Sequence, residues 1–260
     1  MIWVFLILAV LVLITVFYLR GQDLSPYDSP PGQSFDLGHE PSDEHDAVVA
    51  SFDVGIGPVQ RAPRSKRLAL MREYMDSISE TQDYHATFTA VDAGGVKAEW
   101  VQAPGVNSSR RVLYIHGGAF VMGSPKSHRN ITSRFSEIAD AAVLAIDYRL
   151  MPEHPRLAGI EDCRTAYEWI LHNGPDGPGE VQRVFVGGDS AGGNLTLSLI
   201  SWVRDQPLRL PDAAVALSPA TDTTMGSPSL KHNMETDAML GPMFKQFVWV
   251  PRPLLWWIVL

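Results

Sequence analysis

Ser190 stands at the centre of the run Gly188-Asp189-Ser190-Ala191-Gly192-Gly193-Asn194. In a G-x-S-x-G pattern, glycines two places either side of a serine relieve crowding in a strained turn and let the hydroxyl project. Placed between a strand and a helix, such a hydroxyl can attack a bound carbonyl. The positive end of the helix and the amide of Ala191 can then stabilise the oxyanion that forms. A second run, His116-Gly117-Gly118-Ala119-Phe120, can turn several backbone N–H groups into one concavity, because adjacent glycines bend without a Cβ in the way. An ordinary tight glycine turn would read the same. A third run, 147–155 (DYRLMPEHP), has the arginine, acids and prolines of a rigid, hydrogen-bonded loop. Its His154 is recommended as a base by nothing except its place in the chain.

Each of these runs follows a short apolar segment. Residues 111–116 (RVLYIH), 142–148 (AVLAIDY), 184–187 (VFVG) and 213–217 (AAVAL) are nearly continuous apolar stretches, as parallel strands covered on both faces require. Residues 86–91 and 96–102 flank Gly94 and Gly95 and read as a hairpin. Helical stretches lie between the strands at 127–140, 160–171 and 195–204, and another precedes them at 65–79. Regular alternation of strand and helix predicts an α/β fold with a doubly wound, mostly parallel sheet. In such sheets ligands bind beyond the carboxyl ends of the strands, where all three runs fall.

The flanking sequence is of another kind. Residues 1–19 carry no charge and match the ~20 residues of a helix that crosses a bilayer, which predicts a single-pass N-terminal membrane anchor. A cleaved signal peptide fits less well, since Phe17, Tyr18, Leu19 and Arg20 end the run in place of small residues. Arg20 and the amino terminus give no orientation. Residues 20–63 form a proline-rich acidic linker in which His39 and His45 show no repeating metal-ligand spacing. A partial catalytic domain is expected over 64–247 and an atypical apolar tail, VWVPRPLLWWIVL, over 248–260.

A net charge of −8 with no lysine or arginine run argues against nucleic acid as a partner. The single cysteine, Cys163, can form neither an internal disulfide nor a cysteine-based zinc site, and reads as a small buried side chain. The serine run also resembles the serine loop of chymotrypsin-like proteases, but those are all-β and usually disulfide-bonded. A phosphate-binding loop would need the Walker lysine, which this chain lacks.

The three runs together, in this order and on these strands, resemble the hormone-sensitive lipase branch of the α/β-hydrolase family, which includes bacterial carboxylesterases and membrane-anchored arylacetamide deacetylases. Gly159-Ile160-Glu161-Asp162-Cys163 and Leu217-Ser218-Pro219 are similar too. The resemblance covers residues 65–247. It implies cleavage of a small-molecule ester or lipid through Ser190, with oxyanion donors from the backbone of Gly117, Gly118, Ala119 and Ala191. His116, Gly188, Asp189 and Gly192 would support them. It further implies a helical cap from segments near 65–79 and after Thr221, and no metal or cofactor.

Ala119 stands where the family usually has a third glycine, and Arg156-Leu157 replaces a more usual aromatic-proline pair. A larger departure concerns the base. A serine needs a histidine and an acid that follow it in this fold, and the chain ends 70 residues after Ser190. Asp222 and His232 are a poor substitute pair, because no later strand remains to position the histidine. The expectation is therefore a C-terminally truncated hydrolase of low turnover, with an unpaired sheet edge and an uncovered part of the core. The rival is a non-catalytic, membrane-tethered binding module that keeps the pocket.

Overall fold

The computed structural model describes residues 2–18, 40–80, 82–221, 230 and 232–241. The tail at 248–260 and Asp222 lie outside them. Two helices come first, α1 (Ile2–Tyr18) and α2 (Asp43–Arg61). The apolar side chains of α1 are exposed, from Ile2 at 74% to Phe17 at 78%. Its 17 described residues at about 1.5 Å each reach about 26 Å, against a hydrocarbon core of ~30 Å. Among the described residues no helix is long and apolar enough to cross a membrane; residues 1 and 19 of the expected spanning helix lie outside them.

The region read as a linker contains α2. Its first turn carries Asp43, Glu44 and Asp46, which favour the positive end of a helix, and Ser42 Oγ caps it by accepting the His45 N–H at 3.2 Å.

The chain divides into two units, residues 1–57 with 222–260, and residues 58–221. The second holds the sheet. It opens with α3 (Arg64–Ser77) and the hairpin β1 (Thr87–Asp92) and β2 (Lys97–Gln102), turned at Gly94 and Gly95 with φ of 72° and 96°. Then come β3 (Arg110–Ile115), α4 (Arg129–Ala139), β4 (Ala142–Ile146) and α5 (Arg156–His172). A small hairpin, β5 (Asn173–Gly174) and β6 (Gly177–Pro178), leads to β7 (Arg183–Asp189), α6 (Ser190–Arg204) and β8 (Ala213–Leu217).

The sheet order is β1-β2-β4-β3-β7-β8. β4, β3, β7 and β8 are parallel, and the hairpin extends them antiparallel through β2 against β4. The predicted doubly wound α/β sheet is thus present as a mixed, mostly parallel one. Alternation along β3 divides the core. Leu113 and Ile115 join Ile170 of α5 and Leu195 of α6 on one face, while Val112 and Tyr114 pack with Ile131 and Phe135 of α4 on the other.

β8 pairs only with β7 among the described residues, and Val215 and Leu217 stay 43% and 38% exposed. On the α4 side, a cavity of about 630 Å3 opens between Val112, Phe135, Ile138, Phe185 and Val215. Among the described residues this edge without a second partner and this open apolar face agree with the expectation from the sequence.

Candidate active site

From β3 the chain moves to β4 on one side, and from β4 it returns past β3 to β7 on the other. The sheet therefore switches direction between β3 and β7, and the loops that leave these strands diverge around a crevice. Ile115 is in register with Gly188, so the run 116–120 and the run 188–194 leave the sheet side by side.

Asp189 is extended at φ −114°, ψ 149°, and Ser190 turns to φ +51° as α6 begins. That left-handed backbone costs a non-glycine residue about 1–2 kcal/mol, and it presents Ser190 exposed at the head of the helix. The flanking glycines allow the turn. A Cβ on Gly192 would collide with the carbonyl oxygens of Ile115 and His116, and one on Gly188 with those of Gly192 and Ile115. Backbone meets backbone there, so no side-chain movement could relieve either clash.

Asp189 joins the two loops. Its Oδ1 accepts the Tyr114 hydroxyl at 2.8 Å and the Gly117 N–H at 3.0 Å, and lies 3.4 Å from His128 Nε2. Burial works against the charge of this carboxylate, but the hydrogen bonds from His128, Tyr114 and Gly117 outweigh it and hold Asp189 below the usual carboxylate range. The sequence reading did not find Tyr114, which looks like one more apolar residue of a strand, or His128, which falls inside a helical stretch.

With its N–H engaged by Asp189, Gly117 braces the loop and is not a free oxyanion donor. Gly118 at φ +117°, Ala119 at +53° and Phe120 at +63° follow in left-handed conformations. Among the described residues the N–H groups of Gly118 and Ala119 have no protein acceptor, and Ala191 lies in the first turn of α6, where no intrahelical acceptor exists. These three amides are the available donors of the crevice.

His116 is fully buried and its Nδ1 lies 2.7 Å from the Gly117 carbonyl. A carbonyl can only accept, so Nδ1 carries the hydrogen and Nε2 is left bare, without a partner. Burial, reinforced by the nearby His128, pushes its pKa down to about 3, so the ring is neutral at ordinary pH. It stacks on Tyr148 with centroids 4.4 Å apart, and the Tyr148 hydroxyl donates to the His116 carbonyl at 3.0 Å. His116 therefore supports the loop.

The walls are tied in as firmly. Arg149 in the run 147–155 is held by Asp162 of α5 at 2.7–3.0 Å, which gives that loop the rigid role expected of it. Arg72 of α3 donates from Nε to the Val121 carbonyl at 2.8 Å, from Nη2 to that of Met151 at 3.1 Å, and from both Nη atoms to Glu153 at 2.8 Å. The Arg72 guanidinium holds the Glu153 carboxyl down at about 2.

Within residues 58–221 no histidine follows Ser190. Asp205 pairs with Arg204, and Asp212 with Arg183 and Arg209 while also accepting the Val184 N–H. Asp237 accepts the N–H groups of Met239 and Leu240. Among the described residues no group of three His, Cys, Asp or Glu side chains could hold a metal ion. Cys163 is buried and free, and burial raises its thiol pKa.

Comparison with known proteins agrees with this architecture. The family described as alpha/beta hydrolase fold matches residues 112–250. An acetyl-hydrolase of Streptomyces hygroscopicus is 44% identical over 133 residues, which are 51% of this chain and 42% of that protein. The carboxylesterase/phospholipase LipF of Mycobacterium tuberculosis is 38% identical over 155 residues, 58% of this chain and 40% of that protein. A crystal structure of an esterase from the bacterial hormone-sensitive lipase family superposes with a TM-score of 0.67 at 33% identity, covering 77% of this chain and 65% of that one. The chain thus spans less than half the length of the first two curated relatives.

Proposed function

The chain belongs to the α/β-hydrolase fold family, and on that premise we propose that it carries the nucleophilic half of a carboxylic ester hydrolase. Ser190 attacks the ester carbonyl, the amides of Gly118, Ala119 and Ala191 receive the developing oxyanion, and the alcohol departs to leave an acyl-enzyme that water hydrolyses. No metal or cofactor enters these steps. One observation carries the reading: Ser190 is exposed at φ +51° in the turn between β7 and α6, beside a loop whose first glycine is fastened to the preceding residue, Asp189.

Turnover by this chain is low in this proposal, because the described residues offer Ser190 no histidine backed by an acid. Oxyanion donors and binding alone leave a residual acceleration of about 10³–10⁴ over water in well-studied triads. That same gap favours a second reading, a binding module that keeps the crevice without chemistry. Labelling with a fluorophosphonate distinguishes them: modification at Ser190, abolished by Ser190→Ala, supports the nucleophile, and a folded chain that stays unlabelled supports the binding module.

A further inference from the structure

Arg156 lies between the two loops of the crevice. Its guanidinium carbon sits 4.6 Å from the centroid of the Phe120 ring, which belongs to the run 116–120, and its Nη2 donates to Asn194 Oδ1 at 3.0 Å. Asn194 is one turn beyond Ser190 on α6. From Asn194 the connection returns to the serine, since Asn194 Nδ2 donates to the Ala220 carbonyl at 2.8 Å and the Ala220 N–H donates to the Ser190 carbonyl at 3.0 Å.

Among the described residues this cation has no charged partner. The other arginines around the site have carboxylates, Arg149 with Asp162 and Arg72 with Glu153, whereas Arg156 has no carboxylate within ion-pair distance among the described residues. Its Nε is buried without an acceptor. Arg156 also opens α5, so the positive end of that helix adds to its unfavourable surroundings, and no side-chain cap offsets it. Burial lowers its pKa, and no neighbouring acid opposes that effect. A guanidinium presents a fork of donors that fits a carboxylate or phosphate, and among the described residues that fork has one amide oxygen as its only acceptor.

We propose that Arg156 binds an anionic group, so that the esters taken beside Ser190 carry a carboxylate or phosphate as well as the scissile bond. This rests on the assignment of the crevice as an ester site, and it makes Arg156 a residue that selects substrates by charge.

Binding is the readout, since it does not depend on turnover. The full chain in neutral detergent is titrated with ethyl pentanoate, monoethyl succinate and 1-butyryl-glycerol-3-phosphate, followed by ligand-observed NMR. At least one anionic ester is expected to bind ten-fold or more tightly than ethyl pentanoate at low salt. Which of them is preferred distinguishes a carboxylate from a phosphate. The preference should shrink as salt is raised. Arg156→Met should abolish the preference by weakening binding of the anionic ester far more than that of the neutral one, and Arg156→Lys should restore part of it. Equal binding of neutral and anionic esters by the unaltered chain overturns the proposal, whatever the variants do. So does a preference that survives Arg156→Met.

Ser190 labelling separates the two conclusions. A labelled serine with no charge preference removes only the anion site. An Arg156-dependent preference on a chain whose serine stays unlabelled removes only the hydrolase reading.

Discussion

The carboxylate of Asp189 accepts the backbone N–H of Gly117 at 3.0 Å, so the residue before the candidate nucleophile fixes the loop that holds the candidate oxyanion donors. One side chain thereby sets the spacing between two segments that are 72 residues apart in sequence.

Asp189→Ala should destabilise the chain by about 2–4 kcal/mol in urea denaturation, because Tyr114, His128 and the Gly117 amide lose a shared, partly buried acceptor. Asp189→Asn keeps an acceptor oxygen and should cost about 1–2 kcal/mol. The native-state pKa of Asp189 is depressed, so its contribution is complete above the ordinary aspartate value of about 4 and is lost as pH falls through the lower native value. The gap between wild type and Asp189→Asn should therefore close in acid. A gap that widened there would refute this account.

His116 predicts a slope at higher pH. Between its ordinary value of 6.5 and its native value of about 3, the unfolded chain holds a proton that the folded chain excludes. Stability from the neutral ring is full above pH 6.5 and should fall by up to about 1.4 kcal/mol per unit as pH drops through that window. His116→Asn retains a donor toward the Gly117 carbonyl and cannot titrate. Its urea midpoint should change less between pH 7 and pH 4 than that of the wild type; parallel curves would count against the assignment.

Two of the left-handed non-glycine residues, one in each loop of the crevice, predict where the fold gives up stability for its site. Ala119 at φ +53° and Ser190 at φ +51° should both accept glycine with gain. Ala119→Gly, and Ser190→Gly compared with Ser190→Ala, should each be more stable by up to about 1 kcal/mol, or about 2–4 °C in Tm for a domain of this size. Calorimetry that ranks Ser190→Ala above Ser190→Gly would show that the turn relaxes without strain.

The apolar, exposed α1 predicts a membrane location. The chain should remain in the pellet when membranes are extracted with alkaline carbonate, and deleting residues 1–19 should release it. Recovery of the unaltered chain in the supernatant would end that proposal.

The legible part of the fold is the part that local pattern controls. The runs of β3, β4 and β7 were visible because strands buried on both faces must be apolar throughout, and the turn at Ser190 because only glycine fits at 188 and 192; β8 has the same apolar run but is exposed among the described residues. α2 could have been found from Ser42 and the acids behind it. What stayed hidden depends on strand order. Tyr114 and Asp189 meet only because β3 lies beside β7, and His128 reaches them only because α4 begins above that pair. Gly117 was expected to donate to substrate, but its N–H faces a carboxylate whose direction no motif specifies. Arg156 was legible as a departure from the family pattern, but not as a cation without an acidic partner among the described residues.

Arg72 fastens α3 to the segments around Val121, Met151 and Glu153 at once. Those bonds radiate from a single guanidinium, so they must break together or not at all. α3 is consequently a fixed wall of the crevice and no door, and any breathing that admits a ligand has to come from another segment.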